Sequence, residues 1–412
     1  MQIVNKKMGK DMKILFIQDK KICPNAGGLE RVTYILSQEF HRRGHDIKYL
    51  SVGDNPGVRD ENKDTEFDQF YLNYNELDPS KFREAYEKLL KEEKIELAIF
   101  QDVGNTVVNV LEATPKEIIR YIVFHNQPFP HLYKERKVMS LTPTSSLSRK
   151  RKILKLICIL SERVYRKIYR RHCSGRYAHI ERISDRFVML CESSKERIIH
   201  ESRGMIRSEG IDAINNPITF APKEIDPSTK ENLIMFVGRL TNPQKNVTGF
   251  IDVWKKFSEL HPDWEAVILG DGEHRDLITQ YAERQGVNNL EFKGNVKNIA
   301  DYYKRAKILC MTSAYEGWPM VLMEAMSFGC IPVAYDTFEA VHEIITDWKD
   351  GVIIEKFDTV GMAKGLDELS RNDCLLKNMA NASKEKIERF SVENIADQWE
   401  ERFKKDKTEK DL

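Results

Sequence analysis

Two carboxylates eight positions apart, Glu316 and Glu324, bracket a Gly-Trp-Pro turn in the stretch YEGWPMVLMEAMSFGCIPVAYD, residues 315–336. On one continuous helix, eight residues at about 100° each would leave the carboxylates about 80° apart. Pro319 argues against that arrangement. A ring that fixes φ and lacks an N–H suits the first residue of a helix, not its middle. Glu316 is therefore expected in the loop before the helix and Glu324 on its second turn. Between them lie the N–H groups that every helix start leaves without intrahelical partners. The pattern predicts a cup for an anion with a carboxylate on either side.

Other residue types suited to an anion sit at the ends of apolar runs. After LIMFVG come Arg239 and then Lys245, at the head of a helical stretch. A guanidinium fork and an ammonium point charge together suit a diphosphate. Two solvated loop cations would be the plainer reading, but the nearby helix start at Pro319 favours the anion site. Gly270-Asp271-Gly272 follows AVIL and reads equally as a ligand loop or a tight strand-to-helix turn. Gly27 and Gly28 open a helix after the first apolar run, where backbone can approach a phosphate or a sugar. His125 closes the run YIVF and is either a structural histidine or a site residue. There is no G-x-G-x-x-G dinucleotide fingerprint and no G-x-x-x-x-G-K-[ST] loop. Asp-x-Asp, H-E-x-x-H and Cys/His clusters are absent as well. A bound diphosphate would thus be met by Arg, Lys and helix dipoles, not by a dedicated metal site.

These residues need a scaffold that carries strand ends to one place. Short apolar runs alternate with amphipathic helical stretches along the chain. KILFIQD, DIKYLSV, ELAIFQD, YIVFH and the run at 187–190 form a first set, with a helix capped near Ser193 after the last. NLIMFVGRL, AVILGDG, NLEFKGN, ILCMTS, IPVAYD and GVIIEK form a second. Runs that are continuously apolar read as parallel strands covered on both faces. The turn-rich stretch at 214–230 separates the two sets, which predicts an α/β protein of two doubly wound domains. Ligands in such sheets bind beyond the carboxyl ends of the strands.

The 412 residues are 41% hydrophobic and 31% charged, a globular balance with no apolar run near the roughly 18 residues of a membrane helix. The start MQIVNKKMGKDMKILFIQD lacks signal-peptide organisation. Seven scattered cysteines (Cys23, Cys158, Cys173, Cys191, Cys310, Cys330 and Cys374) without a C-x-x-C pair point to reduced thiols and a cytoplasmic setting. The net charge of +1 conceals a segment, Lys134–Arg182, with 15 Lys and Arg against 3 Glu.

Taken in order, the early GG-x-E-R helix, the strand-end histidine, INNPI, VGRL with its G-R-x(5)-K spacing, GDG, FKGNV and the E-x(7)-E stretch form a pattern. It resembles the retaining GT-B glycosyltransferases of family 4, over nearly the whole chain. The resemblance implies two Rossmann-like domains facing a central cleft. Residues 1–215 would form the acceptor-side domain and 216–391 the nucleotide-sugar-binding domain. FSVENIADQWEERF looks like the family's final helices, so 392–412 would pack back on the first domain. It also implies sugar transfer from a nucleotide sugar, UDP-linked by expectation, with retention of configuration and no bound metal or other cofactor. Arg239 and Lys245 would neutralise the departing diphosphate. Glu324 would accept from ribose hydroxyls, Glu316 from donor-sugar hydroxyls, and N–H groups around Met320 and Val321 would meet a phosphate. Gly27 and Gly28 would leave room for donor and acceptor, and His125 would lie beside the transferred sugar. Gly270 belongs to the family's GDG turn, and Val296 matches the position near the nucleobase. Trp318 departs from a common Phe, and YDTFEAVHEII lacks a Gly often found there.

The wording of the E-x(7)-E stretch looks like subfamilies using galactose or hexosamine donors in surface polysaccharide assembly, with glycan or lipid-linked acceptors. In RKILKLICILSERVYRKIYRRHC (151–173), Ile153, Leu156, Ile157, Leu160, Val164 and Ile168 form one stripe surrounded by Arg and Lys. That pattern predicts either a helix on an anionic membrane, peripheral to its inner face, or a docked helix with a solvated basic side. Nucleic acid is not expected as a partner, because no binding module accompanies the charge. MSLTPTSSLS (139–148) reads as a mobile loop over the acceptor side. Two other readings stay open: a non-catalytic nucleotide-sugar-binding scaffold, and a Rossmann oxidoreductase, the latter disfavoured by the missing fingerprint.

Overall fold

A computed structural model describes residues 11–24, 27–53, 65–130, 161–224 and 229–411, with Arg149, Lys152, Ile153, Leu156 and Ile157. The expected loop at 139–148 lies outside these residues. The chain divides into two compact units. One comprises residues 1–125, 174–219 and 392–412, the other 126–173 and 220–391. Residues 126–173 thus group with the second unit, whereas the sequence reading runs the first domain to 215.

The first unit holds seven strands: β1 (Lys13–Gln18), β2 (Asp46–Ser51), β3 (Asp68–Tyr71), β4 (Leu97–Phe100), β5 (Ile119–Phe124), β6 (Arg186–Met189) and β7 (Ile211–Ala213). All pair in parallel, in the order β3-β2-β1-β4-β5-β6-β7. Its helices are α1 (Gly28–Arg42), α2 (Pro79–Glu92), α3 (Asn105–Ala113), α4 (Glu162–Ile183, continuing from the second unit) and α5 (Glu192–Ser202). Cys191, not Ser193, is the N-cap of α5. β1 and β4 are buried almost throughout, as their uninterrupted apolar runs require.

The second unit has six parallel strands: β8 (Glu231–Val237), β9 (Glu265–Leu269), β10 (Leu290–Gly294), β11 (Ala306–Met311), β12 (Ile331–Tyr335) and β13 (Val352–Ile354). Their order is β10-β9-β8-β11-β12-β13. The helices are α6 (Val247–Ser258), α7 (Arg275–Gln285), α8 (Ile299–Arg305), α9 (Met320–Ser327), α10 (Val341–Ile344), α11 (Thr359–Ser370) and α12 (Asp373–Ile387). α6 brings Phe250, Trp254 and Phe257 into a core shared with Ile234, Ile268, Ile308 and Met362.

A last helix, α13 (Val392–Asp411), belongs to the first unit. Its Trp399 and Phe403 pack on Tyr121, and Phe403 also meets Phe40. Burying Ile395 and Phe403 is worth roughly 1.5–3 kcal/mol each. Asp406 accepts from the Tyr121 hydroxyl and is gripped by Arg186 at 2.9 and 2.5 Å. At the other end, Arg43 reaches Asp397 at 2.5 Å and His45 meets Glu400 at 3.2 Å.

Each sheet reverses its winding once, between β1 and β4 and between β8 and β11. At such a point the loops on either side part toward opposite faces and leave a crevice at the carboxyl ends of the strands. The residues after β8, β11, β1 and β4 are therefore the ones to inspect. Among the described residues, no helix is long and apolar enough to cross a membrane.

Candidate active site

In the second unit the crevice is lined by the loops after β8 and β11. Lys245 lies near the end of the first loop, with its stem over Gly238, where an added Cβ would sit 3.5 Å from Lys245 Cδ. The loop is tied to the end of β11. Gln244 O accepts from Ala314 N–H at 2.7 Å, and the Asn246 amide donates to Thr312 O at 3.1 Å. The Thr312 hydroxyl in turn donates to Asn246 O at 3.0 Å. Asn246 stands in the left-handed region, φ 47°, and Asn242 Oδ1 accepts from Val247 N–H to begin α6. These bonds carry Lys245 across to Glu316, and its ammonium donates to Glu316 Oε1 at 2.7 Å. The pair is largely sequestered, with side chains 18% and 10% exposed.

Glu316 lies in the loop, as predicted, but Pro319 is the N-cap of α9 and Met320 its first residue. No side chain caps α9. Its first turn therefore presents N–H groups from Met320 and Val321, while Leu322 N–H turns back to Pro319 O. Glu324 follows on the second turn, buried, with Oε2 accepting from the Tyr303 hydroxyl at 2.9 Å. Trp318 is buried against Phe390 and donates to Met323 Sδ, so the larger ring is accommodated. Thr337, in the segment without the common Gly, donates to Ser313 O at 2.6 Å and steadies the loop from behind.

Arg239 is exposed after β8 and has no ion-pair partner among the described residues. The structure thus brings Arg239, Lys245, Glu316, Met320, Val321 and Glu324 around one switch point. Val296 is half-buried between β10 and α8. Gly270 has a packing reason of its own: with φ +125°, a Cβ there would lie 2.1 Å from Gly238 O. A Cβ on Gly272 would in turn lie 2.7 Å from Leu240 N and O. The GDG turn therefore supports the loop that carries Arg239.

In the first unit, Gly27 caps α1 in an extended conformation and Gly28 is the helix's first residue. His125 follows β5, and its Nε2–H donates to Gln101 Oε1, after β4, at 2.6 Å. With its proton on Nε2, the ring keeps Nδ1 as an acceptor. Burial pushes the His125 pKa down to about 3, so the imidazole is neutral. Asp102, next to Gln101, is pushed up by burial, with the nearby Asp19 carboxylate adding to the shift. Sequence reasoning missed Gln101. The repeated strand ending in FIQD and IFQD, Gln18-Asp19 and Gln101-Asp102, was the signal that could have found it. Among the described residues no three His, Cys, Asp or Glu side chains cluster so as to hold a metal ion.

Residues 218–386 match the family model "Glycosyl transferases group 1", a span that contains the whole Arg239–Glu324 site. The match takes in all of the second unit's sheet, and the two parallel-sheet α/β units have the GT-B fold. An uncharacterized glycosyltransferase of Haemophilus influenzae is 24% identical over 378 residues, 91% of this chain and 96% of that one. An α-1,4-N-acetyl-D-galactosaminyltransferase of Campylobacter jejuni is 28% identical over 186 residues, 45% of this chain and 52% of that one. Its name gives the acceptor as a GalNAc-bearing diNAcBac-PP-undecaprenol. Among solved structures, a point mutant of S. aureus TarM, in complex with fondaparinux, alpha-GlcNAc-glycerol and UDP, superposes with a TM-score of 0.71. It is 17% identical, and the match covers 94% of this chain and 99% of that one.

Two outcomes follow from this geometry. Glu316→Gln leaves the Lys245 ammonium without its carboxylate. The empty protein should lose on the order of 2 kcal/mol, roughly 4–8 °C in Tm. Inorganic pyrophosphate should restore more stability to this variant than it adds to the wild type, as read by thermal scans. The second outcome concerns pH. The unfolded chain's histidine titrates near 6.5, so unfolding takes up a proton below that pH. His125 therefore contributes fully above about pH 6.5, and its contribution is lost as pH falls toward 3. By pH 5 the loss is about 2 kcal/mol. Urea midpoints at pH 7.5 and 5 should separate further for the wild type than for His125→Asn.

Proposed function

We propose that this chain is a retaining, metal-independent glycosyltransferase of family 4. It moves a hexose or N-acetylhexosamine from a nucleotide sugar, UDP-linked, to a glycan or lipid-linked acceptor in surface polysaccharide assembly. The observation that carries this reading is the Lys245–Glu316 pair beside the uncapped start of the helix that bears Glu324. A cation already balanced by a carboxylate can exchange that partner for a diphosphate. Glu316 is thereby released to accept from the donor sugar's hydroxyls. When the bond from the anomeric carbon to the phosphate oxygen breaks, its electron pair leaves with the diphosphate. Arg239, Lys245 and the Met320 and Val321 N–H groups stand where that charge develops. Glu324 takes the ribose hydroxyls, and Val296 lies toward the nucleobase. Gly27 and Gly28 leave room for donor phosphate and acceptor. His125, neutral, serves as a hydrogen-bond partner for a hydroxyl of the transferred sugar and not as a cation. The α-linkages in the names of the Campylobacter relative and the TarM ligand fit retention.

The basic segment supports a membrane-facing role at the inner face of the cell membrane. The described part of the expected helix 151–173 comprises α4 and the helical residues Lys152, Ile153, Leu156 and Ile157, with Ser161 outside the helix. Four stripe residues are exposed: Ile153 and Leu156 at 56%, Val164 at 49% and Ile168 at 45%. Arg163, Lys167 and Arg171 are exposed at successive turns beside Val164 and Ile168, while Tyr165, Tyr177 and Ala178 are buried. A docked helix would have buried that stripe. Each cation near an anionic leaflet adds about 1 kcal/mol.

Thermal shift with chelator present, across UDP, GDP, their sugar conjugates and NAD, tests the donor reading. A nucleotide sugar at a hundred times its Kd should add about 2.7 kcal/mol, and Arg239→Ala should lose that gain. Stabilisation by NAD alone would sink the reading. For the membrane, wild type should co-sediment with phosphatidylglycerol vesicles and not with phosphatidylcholine ones. Lys167→Glu/Arg171→Glu should abolish binding and leave transfer to a soluble acceptor intact.

A further inference from the structure

Glu324 is held by a residue that no motif singled out. Tyr303, on α8, is fully buried, and its ring stacks on Phe328 with centroids 5.8 Å apart and planes 8° apart. Its hydroxyl donates to Glu324 Oε2 at 2.9 Å. The backbone that carries Tyr303 is itself pinned. Lys230 is 6% exposed, and its ammonium donates to Tyr303 O, Lys304 O and Ala306 O at 2.7, 3.1 and 2.9 Å. Those three bonds use all three ammonium protons and satisfy carbonyls left open at the end of a short helix. A chain of contacts thus runs from the start of β8 through α8 to the carboxylate on α9.

A glutamate side chain has three rotatable bonds, and recognising two adjacent hydroxyls demands one orientation of its carboxylate. A phenol donating to one oxygen fixes that orientation and leaves the carboxylate able to accept from a ligand's hydroxyls. We propose that Tyr303, anchored through Lys230, is a positioning residue that sets Glu324 to read the ribose 2′ and 3′ hydroxyls of the donor, so that the site selects ribonucleotides over deoxyribonucleotides. This inference rests on the reading that Glu324 takes the ribose.

Calorimetric Kd values for UDP and 2′-deoxy-UDP, and for GDP and 2′-deoxy-GDP, test it in wild type, Tyr303→Phe, Glu324→Gln and the double variant. The wild type should prefer one ribonucleotide at least tenfold. Tyr303→Phe should cut that preference several-fold with the Kd for pyrophosphate unchanged, and should cause no further change in the Glu324→Gln background. A purely structural loss would weaken pyrophosphate as well. If Glu324→Gln collapses the preference while Tyr303→Phe retains it, Tyr303 does not position the carboxylate. If Glu324→Gln also retains it, or neither nucleotide pair binds, the ribose reading fails and this inference with it. Should Tyr303→Phe not fold, Lys230→Met, which keeps the phenol but frees the end of α8, must lower the same ratio or the anchoring is refuted.

Discussion

The Lys245 ammonium rests 2.7 Å from Glu316 because the loop after β8 is laid over the end of β11 and tied there by backbone and side-chain hydrogen bonds. A charge largely withdrawn from solvent needs a counter-charge, and Glu316 supplies it. The same requirement shapes what surrounds it. Gly238 gives the lysine stem room, and Gly270 lets the β9 turn press against Gly238 O. Asn246 takes a left-handed conformation so that α6 can start at once. Two of the second unit's positive-φ positions, Asn246 and Gly270, thus serve the placement of one cation at the reversal of the sheet.

The two units carry opposite electrostatic characters at their strand ends. In the second, Arg239, Lys245 and an uncapped helix start gather positive potential. In the first, the strand-end groups are a neutral histidine, an amide and carboxylates, with Asp102 shifted toward its protonated form by burial. A diphosphate is matched by the former. Hydroxyl-rich, uncharged chemistry is matched by the latter, where neutral donors and acceptors align a sugar without attracting phosphate. The proposed transfer asks for that division, a charged leaving group on one side and a neutral sugar on the other.

Much of this arrangement was legible in the sequence because it is local. Continuous apolar runs gave the buried strands, and the Gly-Trp-Pro turn inside E-x(7)-E gave the start of α9 to within one residue, Pro319 being its N-cap. The misses share a physical cause. β3 is a four-residue strand, DQFY, with both ends exposed, and β7 has only three residues, so neither carries an apolar run to read. Tyr303 and Lys230 carry no signal because their roles depend on partners far along the chain. Tyr303 meets Glu324, 21 positions on, and Lys230 meets carbonyls 73 to 76 positions on. The glycines of GDG read equally as a ligand loop or a tight turn, and their close contact with the Gly238 and Leu240 backbone is disclosed only in three dimensions.

The docking of α13 on the first unit bears on how the protein is made. Trp399, Phe403 and Asp406 complete the packing around Tyr121, Phe40 and Arg186, yet they leave the ribosome after every residue of the second unit. The first unit is therefore begun first and finished last. While the intervening residues are being translated, its Arg186 guanidinium and the apolar surface meant for α13 stand open to solvent and to other chains. The nascent first unit has to wait for its closing helix, and apolar surface exposed in that interval is of the kind that aggregates.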